Sequence, residues 1–140
     1  KHVVVTGTYD LGKTPWATAI SQTSLLNDAS SRFNEGLLVN IVDLGANVLY
    51  IDAAYYVNLY TSSPGSYSFD NATTPVCTSV DAGNGIGIGT GQVNSALCTT
   101  ATLLPSANQN KYVFADAVYL TPSAHRQLGD YAYDRLRARW

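Results

Sequence analysis

Three stretches of the chain hold residues at spacings that could do chemistry. The first reads Val3-Val4-Val5-Thr6-Gly7-Thr8-Tyr9-Asp10-Leu11-Gly12-Lys13-Thr14, and its tail spells G-x-x-x-x-G-K-T. Between a strand and a helix, such a loop surrounds nucleotide phosphates with backbone N–H groups. The second is the alternation Gly83, Gly85, Gly87, Gly89, Gly91, which has the letters of a dinucleotide fingerprint. The third is the pair Cys77 and Cys98, able to ligate metal, act as thiols or join as a disulfide.

Local context weakens the first two. Pro15 follows Thr14 directly and has no N–H to offer a phosphate. Asp10 places a carboxylate inside the loop, and the helical pattern begins several residues late. The glycine alternation lacks a strand before it and a helix after it, so it reads as a closely packed or flexible loop. Both His2 and His125 lie far from the cysteines, and no basic residue adjoins either one. That disfavours a metal site and an activated thiol. A disulfide closing a loop of about 20 residues remains, worth about 3 kcal/mol in the chain-entropy model. It implies an oxidising compartment, hence a secreted or cell-surface protein.

Composition narrows the partners. Only 13% of the 140 residues are charged, against about a quarter in typical domains, and the net charge is −2. No basic face is implied, which argues against nucleic acid. Arg135, Arg137 and Arg139 fit a solvated helix end, where cations are favoured. No apolar run reaches the roughly 20 residues needed to span a bilayer. The chain has no Met and opens with Lys1 almost directly on a strand, which reads as a chain processed or truncated from something longer.

The elements that must position these residues follow from periodicity. HVVVT is a β-branched run expected of a buried parallel strand. Between about Thr18 and Val42, the positions Leu26, Ala29, Phe33, Leu37 and Ile41 recur at helical steps and predict one buried face. NVLYID predicts a second strand, AAYYVNLY a short helix, and YVFAD a third strand. A long irregular region from about Ser62 to Lys111 holds both cysteines. Thr121-Pro122 opens a last helix to about Arg137, with Ala124, Leu128, Ala132 and Leu136 inward. Strand and helix alternate, so the class is α/β with a parallel sheet. Three strands are few for such a sheet, and the chain reads as the second half of a doubly wound domain.

From end to end the chain resembles the C-terminal part of a secreted GDSL-type (SGNH) ester hydrolase of the autotransporter-esterase kind. VVVTGTYDLGKTP is similar to that family's mid-sheet strand and its D-L-G-x-T-P turn, and RFNEGL to its F-N helix. VLYIDAAYY resembles the next strand, ending here in Asp52. SYSFDNATTPVC resembles the loop that enters the disulfide, and FADAVYLTPSAHRQLGDY the final D-x-x-H-P-T block. The resemblance implies a three-layer α/β/α flavodoxin-like fold, residues 1–140 being the rear segment of a single domain. It implies carboxylic ester hydrolysis through an acyl-enzyme, acting on short-chain or lipid esters without metal or cofactor.

In that family a Ser nucleophile, with a Gly and an Asn, forms the oxyanion hole, and Asp-x-x-His supplies the base and its orienter. This chain has no G-D-S segment and no G-x-N-D. Asp116 matches the orienting acid, but Tyr119 holds the slot of the base and Leu120 that of the Pro. A phenol titrating near 10 cannot take a proton from Ser at neutral pH. His125 lies six residues past Tyr119, in the helix, and reads as a surface or capping residue. Without a His partner, Asp116 reads as the cap of its own turn. Asp52 reads as structural. Three functions follow: a segment of an ester hydrolase, inactive alone, whose partner is the missing front half; an inactive secreted structural or self-assembling module; and, last, a nucleotide binder.

Overall fold

The computed structural model describes all 140 residues, and mixes helix with a little strand. Val3–Thr6 (β1) and Val48–Ile51 (β2) pair in parallel, Val3 opposite Val48 and Thr6 opposite Ile51. Two helices connect them, Pro15–Ala19 (α1) and Thr23–Ile41 (α2), followed by a 3-10 segment. Gly45 in that segment has φ 64°, a left-handed turn that glycine adopts without strain. A helix Ala53–Ser62 (α3) begins directly after β2. The region beyond is a chain of 3-10 turns with one small antiparallel pair, Val80–Asp81 (β3) and Gln92–Val93 (β4). Pro122–Arg139 forms the last helix (α4).

The helix at both ends of the chain starts by the same device. Thr14 and Thr121 stand just before Pro15 and Pro122, and each hydroxyl accepts the N–H three residues on, Ala17 and Ala124, at 3.2 Å. This side-chain cap satisfies a donor that the first turn leaves free. The helix expected from Thr18 to Val42 is therefore two helices, the first beginning at the Thr14-Pro15 pair.

YVFAD does not extend the β1–β2 sheet. Its residues form only isolated bridges and bends, and its hydrogen bonds are taken by other segments. Val113 N–H donates to Asn71 O, and Phe114 and Ala115 carbonyls accept from Val76 and Cys77. Val113 O accepts from Thr121 N–H as the chain folds back on itself. The backbone bonds of residues 113–116 go to residues 71–77 and 119–121 and none goes to β2, so the parallel sheet has two strands where the sequence predicted three.

The packed centre lies on this side of the molecule. Val57 and Tyr60 of α3, Phe69, Ala72, Val113, Phe114, Leu120 and Ala124 form one cluster. Tyr60 meets Tyr67 and Phe69 edge to face at 5.0 and 5.6 Å between ring centroids, a preferred aromatic geometry. β2 contributes Leu49 and Ile51, both buried. β1 does not match its expected burial, since Val3 and Val4 are exposed.

α2 turns a different face inward from the one its apolar spacing predicted. Leu26, Leu37 and Ile41 are half-buried as expected, but Ala29 and Phe33 are exposed. Ser30 and Asn34 take their places, with Asn27 one turn earlier, and all three grip the loop after β1. Asn34 clamps Thr8 from both sides, accepting its N–H at 2.9 Å and donating to its carbonyl at 2.8 Å. Ser30 accepts Leu11 N–H at 3.0 Å, and Asn27 donates to Asp10 at 2.7 Å. Buried loop amides need partners, and that need sets the helix rotation. The displaced apolar residues Phe33, Leu38 and Val39 face solvent, next to exposed Val42 and Leu44. In α4, Ala124 is buried and Leu128 and Ala132 half-buried, while Leu136 is exposed.

Candidate functional site

The opening loop uses its phosphate-loop letters for a turn. Asp10 accepts Gly12 N–H at 2.8 Å, and the Thr14 hydroxyl donates to Leu11 O while capping α1. The backbone N–H groups of Thr8, Leu11, Gly12, Lys13 and Thr14, which a phosphate would need, are thus committed within the chain. Gly7 and Gly12 are packing glycines: a Cβ on Gly7 would collide with the Tyr50 hydroxyl and Asn34, and one on Gly12 with the Thr23 carbonyl. Asp52 caps α3 by accepting Tyr55 N–H at 2.9 Å. In the glycine repeat, Asp81 accepts Gly83 N–H and the Asn94 side chain, and these bonds hold its carboxyl below the usual carboxylate range.

Asp116 and Tyr119 share one tight turn between Phe114 and α4. Asp116 is fully buried, and its carboxylate is surrounded by backbone donors. One oxygen accepts Val118 N–H at 2.9 Å and Tyr119 N–H at 2.7 Å; the other accepts Ser95 N–H at 2.9 Å. Two of these bonds close the turn that Asp116 itself begins, as expected of an Asp without an imidazole partner. The third reaches an arm 21 residues earlier in sequence. Trp16 N–H and the Tyr9 hydroxyl bind the same turn from α1 and the opening loop, at Ala117 O and Val118 O.

The Tyr119 side chain makes no hydrogen bond to the Asp116 carboxylate. It is half-exposed and lines a shallow recess with Ile86, Asn94 and Ser95. Tyr9 is the more perturbed phenol, a neighbour that the sequence pattern did not single out. Burial, then the Asp116 charge and the Tyr119 ring, push it up to about 12, so it stays a protonated donor. Its signal in the sequence is only its place beside Asp10 in a conspicuous turn. His125 stands on the first turns of α4 and lines a separate cavity. None of the bonds to the Asp116 carboxylate comes from His125.

Cys77 and Cys98 are joined as a disulfide, with Cα atoms 5.9 Å apart and a sequence separation of 21. Both arms that it ties together hold the Asp116 turn. Cys77 N–H donates to Ala115 O at 3.0 Å, and Ser95, three residues before Cys98, donates to Asp116. The cross-link and the buried carboxylate therefore form one assembly.

Chemically, this arrangement fixes a turn. An acid lies at its centre, but a nucleophile bonded to a base does not. No three His, Cys, Asp or Glu side chains converge as a metal site would require, and no helix is long and apolar enough to cross a membrane. No family model matches the chain, and no curated protein matches it.

Proposed function

We propose that this chain is the rear portion of a secreted GDSL-type carboxylic ester hydrolase of flavodoxin-like fold, with its nucleophile and oxyanion hole on residues outside the 140 present. The single observation that carries the reading is the Asp116 turn. A buried carboxylate sits three residues before the slot of the base, directly ahead of a Pro-started helix. The motif order supports it, as do the parallel β1–β2 pair and the disulfide loop beside the turn. In this reading Asp116 is a positioning residue of the acid–base pair. Tyr119 occupies the base's slot with a phenol in place of an imidazole. The substrate class is a short-chain or lipid ester.

The purified chain is expected to hydrolyse p-nitrophenyl acetate and butyrate no faster than buffer. Turnover that a serine-directed fluorophosphonate blocks would refute the reading, because it would put a working nucleophile among these residues.

A second reading, a secreted module that associates with copies of itself, is favoured by one observation. Phe33, Leu38, Val39, Val42 and Leu44 lie exposed in a molecule whose strand β1 has an unpaired outer edge. Such surfaces recruit other chains. Light scattering is then expected to give a dimer or larger, returning to 15.0 kDa in Phe33→Glu/Val39→Glu. A monodisperse 15.0 kDa particle for the unaltered chain removes this reading.

A further inference from the structure

The disulfide arm, the Asp116 turn and the start of α4 enclose a half-open cavity of about 420 Å3, within the usual range of small-molecule sites. The acid–base pair described above takes no part in it: Asp116 does not line it, and neither does Tyr119. Its lining sorts by depth. Val76, Ala115 and Leu120 are buried floor residues, all aliphatic. Gln109 is half-buried, and Thr100 and His125 stand exposed at the mouth.

The chemistry of this lining selects a ligand. It contains no phenyl, phenol or indole ring, so a planar aromatic guest gains no stacking partner, whereas a flexible hydrocarbon matches the methyl-bearing floor. It contains no carboxylate, and His125 is its one ionisable side chain. An anionic head at the mouth therefore meets donors, the imidazole, the Gln109 amide and the Thr100 hydroxyl, with no like charge among them. We propose that this cavity binds a short unbranched aliphatic monocarboxylate, its chain on Val76, Ala115 and Leu120 and its carboxylate at His125 and Gln109. The inference goes beyond the ester-hydrolase reading and does not need it, since it concerns binding without any bond being broken.

The test is a methyl NMR titration of the whole chain with butanoate, hexanoate, octanoate and 1-octanol. Saturable shifts are expected at the methyls of Val76, Ala115 and Leu120, with affinity rising about fourfold for each methylene added. His125→Ala is expected to weaken octanoate at least fivefold and to leave octanol unchanged. Thr100→Trp, at an exposed position where folding is not at stake, is expected to block both ligands. Shifts that fail to saturate, or that fall on the exposed residues of α2 instead, overturn the site. Equal losses for octanoate and octanol in His125→Ala overturn the assignment of the carboxylate. Neither result bears on ester turnover, so the two readings fail separately.

Discussion

Asp116→Ala is expected to lower the free energy of unfolding by about 3 to 4 kcal/mol, whether or not the protein acts on an ester. The carboxylate accepts three backbone N–H groups at 2.7 to 2.9 Å in a fully buried position. Removing it strands these donors, at about 1 to 3 kcal/mol for each one that water cannot reach. Val118 is half-buried and Tyr119 exposed, so hydration offsets part of that loss, and the expected value stays below the full sum. Asp116→Asn should cost less. Its carbonyl oxygen can still close the turn, while its amide group faces the Ser95 donor with another donor. Urea denaturation followed by circular dichroism measures both. A loss below 1 kcal/mol for Asp116→Ala would mean that the three bonds carry little, and that the turn is held by packing alone.

Replacing the disulfide as Cys77→Ala/Cys98→Ala is expected to remove about 3 kcal/mol, through the loop entropy restored to the unfolded chain. The structure adds a coupling to that figure. Because both arms of the cross-link donate to the 115–116 segment, loosening them also frees the Ser95 bond to Asp116. Combining the cysteine replacements with Asp116→Ala should therefore destabilise by about 1 kcal/mol less than the two losses added, as residues of one network do. Strict additivity in the same urea experiment would show that the cross-link and the carboxylate act independently.

Much of this organisation was legible in the residues, and what escaped did so for physical reasons. The two parallel strands follow from apolar β-branched runs, and α4 from a Thr-Pro pair ahead of helical periodicity. The same Thr-Pro pair at Thr14-Pro15 starts α1, but only five helical residues follow, too few for a period to register. The disulfide followed by elimination, since neither cysteine had a partner suited to metal or to thiol chemistry. YVFAD reads as a strand from its β-branched and aromatic residues, but it forms only isolated bridges and bends. Which neighbours pair with it depends on Asn71, Val76 and Cys77, far earlier in the chain, and local preference carries no record of them.

The buried face of α2 escaped for a different reason. Asn27, Ser30 and Asn34 share one side of the helix, and polar residues so placed read as a solvated surface. Their partners are loop amides, which have no letter of their own in a sequence. In the same way, Asp116 was recognisable as a capping acid, whereas its bond to Ser95 crosses from one loop to another and follows no spacing rule.

The placement of the core has a mechanical consequence. Since Val57, Phe69, Val113, Leu120 and their neighbours knit together without help from β1 or α2, the molecule has a firm side and a tethered side. The tethered side is held to the rest by the β1–β2 ladder and by the bonds that Trp16 N–H and the Tyr9 hydroxyl donate to the Asp116 turn. Force or denaturant applied to the ends of the chain would peel the early strand and long helix away first, leaving the cross-linked half standing.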